Sequence, residues 1–348
     1  MKYSINKNMR GSALIVVVWV IGLLSLLVTS FAFDAHLEAR ITSYYRKRTK
    51  ATYLAQSGIE IARLLMAKQT TINMAASAEL EEDLDDPWYS DARQLAGGSG
   101  VSLVREYGDG EINLDILSER ARRNVNSLRL EEEWEPILEV ADIPEELWPS
   151  LIESFLDWSD KDEEARTDGA ETEDYYETLT PPYRARNGQL DAVEELLKIK
   201  GFSHAIVNGG VLDPKAEEPV IVSGLKDLLT AFGDAKINAN EAPRRVLMTL
   251  PDPSGDADLV ADAIILERTI GMDNVESVDD SRFTSDADLY RRVPDVAVAG
   301  RREYITTQSS KFFRIKSVGK VSNVERTIQC IVQATGSEIK VLRWWEED

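Results

Sequence analysis

Apolar residues run without a charged side chain from residue 12 to residue 33, where serine and threonine are the only polar residues. As a helix, residues 13–32 would span about 30 Å at about 1.5 Å per residue, which matches the hydrocarbon core of a bilayer. The pattern therefore predicts one helix that crosses a membrane a single time.

The helical pattern continues beyond this apolar segment. Apolar side chains recur about every 3.5 residues, with Arg, Lys and Glu between them. Pro87 is the first proline, and Gly58 costs only about 1 kcal/mol in a helix. We therefore predict one helix of about 57 residues and about 85 Å, amphipathic in its second half. Its apolar positions there are Leu37, Ile41, Tyr44, Tyr45, Ile59, Ala62 and Leu65.

Strand-like alternation appears in two places that lie far apart in the chain. Residues 101–117 alternate on either side of a Gly-Asp-Gly turn, which is a hairpin signal. Three more strands are predicted at residues 312–318, 327–334 and 339–345, with a turn at residues 322–323. The sequence between the two regions is mostly helical in pattern. The fold class is therefore α+β: a long N-terminal helix packed on a small antiparallel sheet, with a large, mostly α-helical domain inserted between the strands.

A short basic leader that ends in Gly11 precedes the apolar run. A secretory signal instead has a shorter apolar core, followed by small residues where the peptidase cuts. Here the glycine lies before the run, and no A-x-A-like pattern follows it. A cut after Gly11 would remove the leader and leave the apolar helix on the mature protein.

A basic leader ending in glycine, followed by a long helix that is first apolar and then amphipathic, resembles the type IV pilin and pseudopilin class. Within that class, residues 10–60 are similar to the K-type minor pseudopilins of type II secretion systems. Pilins of the class carry Glu at the fifth residue after the cut, where it neutralises the α-amino group of a neighbour. This chain has Val16 there, and Ser12 replaces the usual Phe. Because an unpaired charge in the apolar filament core is costly, Val16 suits a subunit with no other subunit beyond it.

The resemblance implies a pilin-like architecture over essentially the whole chain. Residues 75–100, rich in Asp, Glu, Ala and Gly, are predicted to form an exposed connector. The predicted domains are a leader at residues 1–11, a membrane segment at 12–33, a stalk helix with the first strands at 34–117, an inserted helical domain with a calcium loop at 118–302, and C-terminal strands at 303–348.

Processing, location and partners are also implied by the resemblance. Prepilin peptidase would cleave after Gly11, and Ser12 would be N-methylated. The protein would sit in the inner membrane of a Gram-negative bacterium, with its N-terminus cytoplasmic and its bulk periplasmic. It would assemble with the I-type and J-type minor pseudopilins, the major pseudopilin and the inner-membrane assembly platform. At the pseudopilus tip it would initiate the filament and support protein export, and a bulky insert independently favours an end position.

An acidic stretch at residues 157–171 has the spacing of a calcium loop. Counted from Asp160, acidic side chains fall at positions 1, 3, 5, 9 and 12, and the carbonyl at position 7 belongs to Arg166. Ala165 stands where an EF-hand has glycine, so a true EF-hand is not predicted. The acidic stretch also resembles the calcium-binding region of the K-type family.

We therefore predict one calcium ion in this loop. The spacing does not decide whether a second calcium ion binds nearby. Such an ion would be held by Asp157, Glu173 or Asp174. The predicted ligands are Asp160, Asp162, Glu164, Arg166 through its carbonyl, Asp168, Glu171 and Asp174.

Two Asn-X-Asn motifs, at residues 124–126 and 238–240, each precede an apolar helical pattern and a proline. This weak repeat resembles helix-hairpin-helix modules, which bind DNA phosphates through backbone amides. The chain lacks the glycine pattern of such hairpins, and its formal net charge of −21 would repel phosphate. We predict a structural scaffold and no nucleic-acid partner.

Side chains suited to catalysis are scarce. His36 and His204 are the only histidines, and the single Cys330 lies in an alternating apolar stretch that predicts burial. No nucleophile–base constellation can be assembled from them, so an enzyme is not predicted. Two alternatives stay open: a K-like tip subunit of a type IV pilus, and a membrane-anchored helix-hairpin-helix protein for DNA uptake.

Overall fold

The computed structural model describes residues 10–75, 88–96, 100–215, 219–251, 254–269, 282–298, 300–335 and 338–347. The predicted leader up to residue 9 lies outside the described residues, as do residues 76–87 and 97–99 of the predicted connector.

Helices and strands of the described part follow one another from a long N-terminal helix to a C-terminal group of long strands. In chain order they are α1 Arg10–Ala75, α2 Tyr89–Ala96, β1 Val101–Tyr107, β2 Gly110–Ser118, β3 Arg123–Asn124, α3 Glu131–Val140, α4 Trp148–Ser159, α5 His204–Asn208, β4 Gly210–Val211, β5 Ile221–Val222, β6 Leu229–Thr230, β7 Ile237–Asn238, α6 Arg244–Leu247, α7 Ala257–Thr269, α8 Asp286–Arg292, β8 Ile305–Thr306, β9 Phe312–Val321, β10 Val324–Thr335 and β11 Glu338–Glu347.

Helix α1 is continuous over 66 residues, which is longer than predicted. No proline interrupts it, so every peptide N–H beyond the first turn can bond within the helix. Among the described residues, one helical segment, Ala13–Gln69, is long and apolar enough to cross a membrane, and its most apolar window is fully exposed. The predicted single membrane-spanning segment is thus present by length and composition.

Five long strands form one antiparallel sheet in the order β1, β2, β9, β10, β11. The predicted hairpin is confirmed, with Gly108 at φ 66° in the turn between β1 and β2. The three C-terminal strands are also confirmed, and Ser322 at φ 58° makes the turn between β9 and β10. Strands β2 and β9 pair although about 200 residues of sequence separate them, so the chain leaves the sheet at one strand and returns beside it.

Helix α1 packs on one face of this sheet at two points of close approach. Gly58 of the helix faces the Ser317 hydroxyl, and Gly319 of β9 faces the backbone of Ala51. A Cβ atom on either glycine would overlap those atoms, so these positions accept no side chain without a shift of the helix. The buried side chains between helix and sheet include the predicted Ile59, Ala62 and Leu65, and also Cys330.

Residues 119–311 form an insert between β2 and β9 with its own hydrophobic core. Trp134 lies at its centre and makes edge-on ring contacts with Phe155 and Phe202, at centroid distances of 4.7 and 6.3 Å. Its helices are short, from 4 residues in α6 to 13 in α7, and irregular segments join them. The strands of the insert are two-residue bridges: β3 pairs with β6, β4 with β5, and β7 with β8.

The two Asn-X-Asn motifs occupy equivalent places in the insert, each at the end of a parallel bridge. In each motif the first Asn accepts a hydrogen bond from the backbone N–H two residues later. The second Asn holds a distant buried segment by a pair of hydrogen bonds. Asn126 bonds both backbone groups of Leu190, at 2.7 and 2.9 Å, and Asn240 bonds both of Phe283, at 3.0 Å each.

Charged side chains join the insert to the sheet. The carboxylate of Glu119, which is fully buried at the start of the insert, accepts hydrogen bonds from Arg314 of β9 at 2.8 and 3.4 Å. Thr230 donates a further hydrogen bond to the same carboxylate. A second pair, Arg343 and Glu194, joins β11 to the insert at 2.8 Å and is partly exposed.

Candidate functional site

The predicted calcium loop begins where α4 ends. Helix α4 ends at Ser159, and the backbone of the next residue, Asp160, is extended. The chain then stays irregular until a short turn at Tyr176. Trp158 and Tyr176 are buried beneath the loop and pack edge-on, with ring centroids 5.1 Å apart. This aromatic contact holds the two ends of the acidic stretch together, because one ring comes from each end.

Asp157 organises the interior of the loop. Its side chain is fully buried, and one carboxylate oxygen accepts hydrogen bonds from the backbone N–H groups of Arg166 and Ala170, at 3.1 and 2.8 Å. The Arg166 guanidinium pairs with Asp157 and also with Asp160, the latter at 2.8 Å. Gly169 packs directly on the Asp157 carboxylate, where a Cβ atom would overlap it. The backbone between residues 166 and 170 is therefore wrapped around a single carboxylate.

Glu171 is the least satisfied acidic group of the loop. Its side chain is 1% exposed, and neither carboxylate oxygen has a hydrogen-bond partner. Burial, and to a smaller extent the neighbouring charges of Asp157, Glu163 and Asp160, together raise the pKa of Glu171 to about 7. A buried carboxylate of this kind is stable at neutral pH only when it is protonated or meets a cation.

Two other buried oxygens in the same region also lack a hydrogen-bond partner: Oδ1 of Asp160 and Oδ1 of Asn187. Asn187 adopts the left-handed conformation at φ 49°, and its amide donates to the Asp162 carbonyl at 3.1 Å and to Glu163 at 2.9 Å. Its carbonyl oxygen is thereby left free. Four unpaired oxygens, from Asp160, Glu171 and Asn187, thus belong to one small region.

The remaining predicted ligands are placed differently. The Asp162 carboxylate accepts from the backbone N–H of Glu164 at 3.1 Å, and the Arg166 carbonyl accepts from Gly169 at 3.2 Å. The side chains of Glu164, Asp168 and Asp174 are exposed. In the part of the chain that the structure describes, no three His, Cys, Asp or Glu side chains are arranged to hold a metal ion. The EF-hand spacing therefore does not by itself bring the predicted ligands together.

The sequence pattern did not include Glu163 or Asn187 among the ligands, and it named Asp157 only for a second ion. No spacing rule points to Asn187, because it lies 16 residues beyond Glu171 and reaches the loop only through the fold. The donor set nevertheless fits calcium, which takes six to eight oxygen ligands from carboxylates, amide carbonyls and backbone. Two carboxylates and an amide carbonyl with free oxygens match that chemistry.

Comparisons with known proteins agree with this fold. A family model described as "Type II secretion system (T2SS), protein K" matches residues 110–209, and one described as "PilX N-terminal" matches residues 10–60. An Escherichia coli (strain K12) protein with the provisional name type II secretion system protein K is 24% identical over 203 residues. These matches confirm the predicted resemblance to type II secretion protein K.

A solved structure extends the likeness to nearly the whole length of the chain. A chain from the GspK-GspI-GspJ complex of the enterotoxigenic Escherichia coli type 2 secretion system matches with a TM-score of 0.55 and 16% identity. The match covers 89% of this chain and 99% of that one, and it shows the fold. The match to the strain K12 protein covers 58% of this chain and 60% of that protein's length. The α+β fold with a pilin-like helix is confirmed.

Proposed function

We propose that this protein is a minor pseudopilin at the tip of the type II secretion pseudopilus, where it initiates the filament and supports export across the outer membrane. The observation that carries the proposal is the insert, residues 119–311, which projects from between β2 and β9 of a pilin-like sheet. A body of that size widens the subunit beyond its stem, so a further subunit cannot stack over it. Val16, in the position of the usual Glu, supports the same placement.

Partners are proposed from the likeness to the GspK-GspI-GspJ complex and from the exposed stem. We infer that this chain assembles with I-type and J-type minor pseudopilins, then with the major pseudopilin and the inner-membrane assembly platform. The apolar side chains of α1 are exposed along the stem beyond the membrane segment, including Leu37 at 47% and Ile41 at 47%. Exposed apolar surface of this kind is stabilised by burial against neighbouring helices.

Location and processing follow from the N-terminus. We propose a single-pass inner-membrane protein with a cytoplasmic N-terminus and a periplasmic bulk, cleaved by prepilin peptidase after Gly11 and methylated at Ser12. Both residues lie in the first turn of α1, ahead of the apolar segment. A cut there would leave the membrane-spanning helix intact.

Reconstitution with partners tests the tip proposal. The mature full chain, in a non-ionic detergent, is mixed with the I-type and J-type minor pseudopilins of the same bacterium and analysed by size exclusion. We expect a complex of the three proteins and no shift with duplex DNA at physiological salt. Gold-labelled antibody against the insert is expected at one end of each isolated pseudopilus. Label along the filament would contradict the tip position, and DNA binding without the partners would favour the DNA-uptake alternative.

A matched genetic experiment addresses the type IV pilus alternative. Deletion of the encoding sequence is expected to stop export of type II substrates to the medium while leaving pilus-dependent twitching intact. Loss of twitching with normal export would support a pilus tip subunit instead.

We also propose that one calcium ion binds the acidic loop, held by Asp160, Glu171 and Asn187, whose free oxygens support this assignment. Asp162, Glu164, Asp168, Asp174 and the Arg166 carbonyl remain as proposed additional ligands from the sequence pattern. Bound calcium would supply positive charge that neutralises the converging carboxylates. The chain itself holds the loop around Asp157 and presents the oxygens, because residues 166–170 bond to that carboxylate.

Thermal unfolding with and without chelator tests the calcium proposal. Calcium is expected to raise the melting temperature of the full chain in detergent, and Glu171→Gln is expected to abolish the increase. Glu106→Gln is the control, because its side chain is exposed on β1, outside the acidic loop. If chelation leaves the melting temperature unchanged, or if both variants lose the effect equally, the assigned ligands are wrong.

A further inference from the structure

A groove of about 700 Å³ opens on the insert between α3, the start of α4 and the segment that joins α6 to α7. Five glutamates line it: Glu132, Glu133, Glu135, Glu139 and Glu145. Apolar and aromatic side chains form the rest of its surface, namely Pro136, Trp148, Met248, Pro251 and Tyr304. We call this surface the acidic groove.

Three glutamates carry the uncompensated charge of the acidic groove, whereas the buried Glu133 interacts with the Arg123 guanidinium. Glu132, Glu135 and Glu139 are spaced three and four residues apart, so they lie on one face of α3. These three side chains are exposed, and among the described residues none of them forms a salt bridge. No Lys or Arg of the described chain lines the groove. Like charges at such spacing destabilise a helix slightly, so the arrangement would be relieved by a cationic partner.

Two aromatic rings in the groove are held in place by hydrogen bonds at their polar ends. Trp148 donates from Nε1 to the carbonyl of Ile143 at 2.8 Å, and the Tyr304 hydroxyl donates to Glu133 at 2.9 Å. Glu133 is itself buried and accepts from the backbone N–H groups of Arg129 and Leu130. Because these partners fix the rings, a ligand would meet them with little loss of side-chain freedom.

We propose that the acidic groove binds an extended, lysine-rich segment of a partner protein. The carboxylates would pair with its ammonium groups, and Trp148 would take an apolar or cationic side chain by packing and cation–π contact. Tyr304, whose ring already meets the Arg123 guanidinium at 5.0 Å from its centroid, would contribute packing. Charge complementarity favours this occupant, because nucleic acid would be repelled by the glutamates. A single metal ion is not favoured either, because no three His, Cys, Asp or Glu side chains of the described residues are arranged to hold one. The inference goes beyond the tip position and the calcium loop and depends on neither.

Fluorescence anisotropy with defined peptides tests the proposal. The probe is a short labelled peptide in which lysine alternates with tyrosine and glycine, and its counterpart carries glutamate in place of each lysine. The full chain in non-ionic detergent is expected to bind the lysine peptide and not the glutamate peptide. Because exposed ion pairs are screened, raising the ionic strength to about 0.5 M is expected to weaken the binding.

Charge-neutralising variants localise the binding. The triple variant Glu132→Gln, Glu135→Gln and Glu139→Gln is expected to weaken the affinity by at least about tenfold, from three exposed pairs of ordinary strength. A control triple at exposed glutamates outside the groove has the same net charge and is expected to change it by less than about twofold. The control substitutions are Glu106→Gln, Glu131→Gln and Glu338→Gln. Equal weakening by both triples, or binding of the glutamate peptide, would overturn the proposal.

Discussion

The pilin-like part, which consists of α1 and the five-stranded sheet, and the insert, residues 119–311, are stabilised by different kinds of contact. In the pilin-like part, α1 lies on a regular sheet whose strands satisfy one another's peptide groups, and the interface is almost entirely apolar. The insert has a larger apolar core but little regular backbone, so side chains complete its hydrogen bonding. The side chains of Asn126 and Asn240 each form hydrogen bonds to the backbone of a buried segment, which a neighbouring strand would form in a sheet.

This difference shows where specificity lies in each part. A buried peptide group without a partner costs free energy comparable to a lost hydrogen bond, and a regular sheet meets this requirement with any sequence of suitable pattern. An irregular backbone meets it only with particular polar side chains at particular positions. Substitutions are therefore expected to act through steric fit in the pilin-like part and through lost polar partners in the insert.

Among the substitutions, one at the junction between the two parts is expected to lower the free energy of unfolding most. Arg314→Met leaves the fully buried Glu119 without its main cation, so we expect a loss of about 3 kcal/mol in the free energy of unfolding. Arg343→Met is the matched control at the exposed pair with Glu194 and is expected to cost less than about 1 kcal/mol. Urea unfolding of the full chain in detergent measures both. Equal costs for the two variants would show that burial does not distinguish the pairs.

A steric clash between helix and sheet in the pilin-like part is expected to have the second largest effect on stability. Gly319→Ala places a methyl group against the backbone of Ala51, so helix and sheet must separate, at a cost of about 2 to 3 kcal/mol. Gly188→Ala in the insert meets nothing closer than a carbonyl at 3.8 Å and is expected to be nearly neutral. Hydrogen exchange localises the loss, which we expect in β9 and β10. Unchanged protection there would refute the close approach.

Removal of polar partners in the insert is expected to have a somewhat smaller effect on stability. Asn126→Ala removes three hydrogen bonds to distant backbone groups and Asn240→Ala removes two. Each substitution leaves a buried N–H and C=O unpaired, at a cost of about 2 kcal/mol. Asn208→Ala is the control, because that side chain is exposed and meets only His204, at 3.4 Å. Faster hydrogen exchange is expected in the insert and not in the sheet. Loosening of the sheet instead would contradict the separation of the two parts.

The pH dependence of the acidic loop tests a single titrating group of the insert. The pKa of Glu171 is about 7 in the folded protein and near 4.5 as a free side chain, so the folded state binds its proton more tightly. With chelator present, the stabilisation is complete below about pH 4.5 and is lost as the pH rises through about 7. The melting temperature is therefore expected to fall across this window. Glu171→Gln is expected to remove the fall, and a fall of the same size in this variant would assign it to another group.

Much of the pilin-like part could be predicted from sequence, because the spacing of its apolar residues shows which positions are buried and whether they lie on a helix or a strand. The 22 uncharged residues 12–33, the turn at Gly108 and the alternation around Cys330 each reflect one local rule. The burial of Cys330 in the helix–sheet core followed from the same alternation. In the acidic loop, by contrast, the spacing predicted Asp160 and Glu171 as ligands, whereas it gave no indication of Asn187, whose free oxygen lies in the same region.

The sequence by itself determined the long helix, the long strands and the resemblance to type II secretion protein K, since these follow from patterns of neighbouring residues. Only the tertiary structure decided which polar atoms meet: Glu119 with Arg314, Asn126 with Leu190, and the unpaired oxygens of Glu171 and Asn187 in one region. It also decided that the glutamates of α3 line a groove beside Trp148 and Tyr304. The physical reason is that hydrogen bonds and charges act over a few ångströms in space, and irregular backbone brings together residues that no sequence period relates.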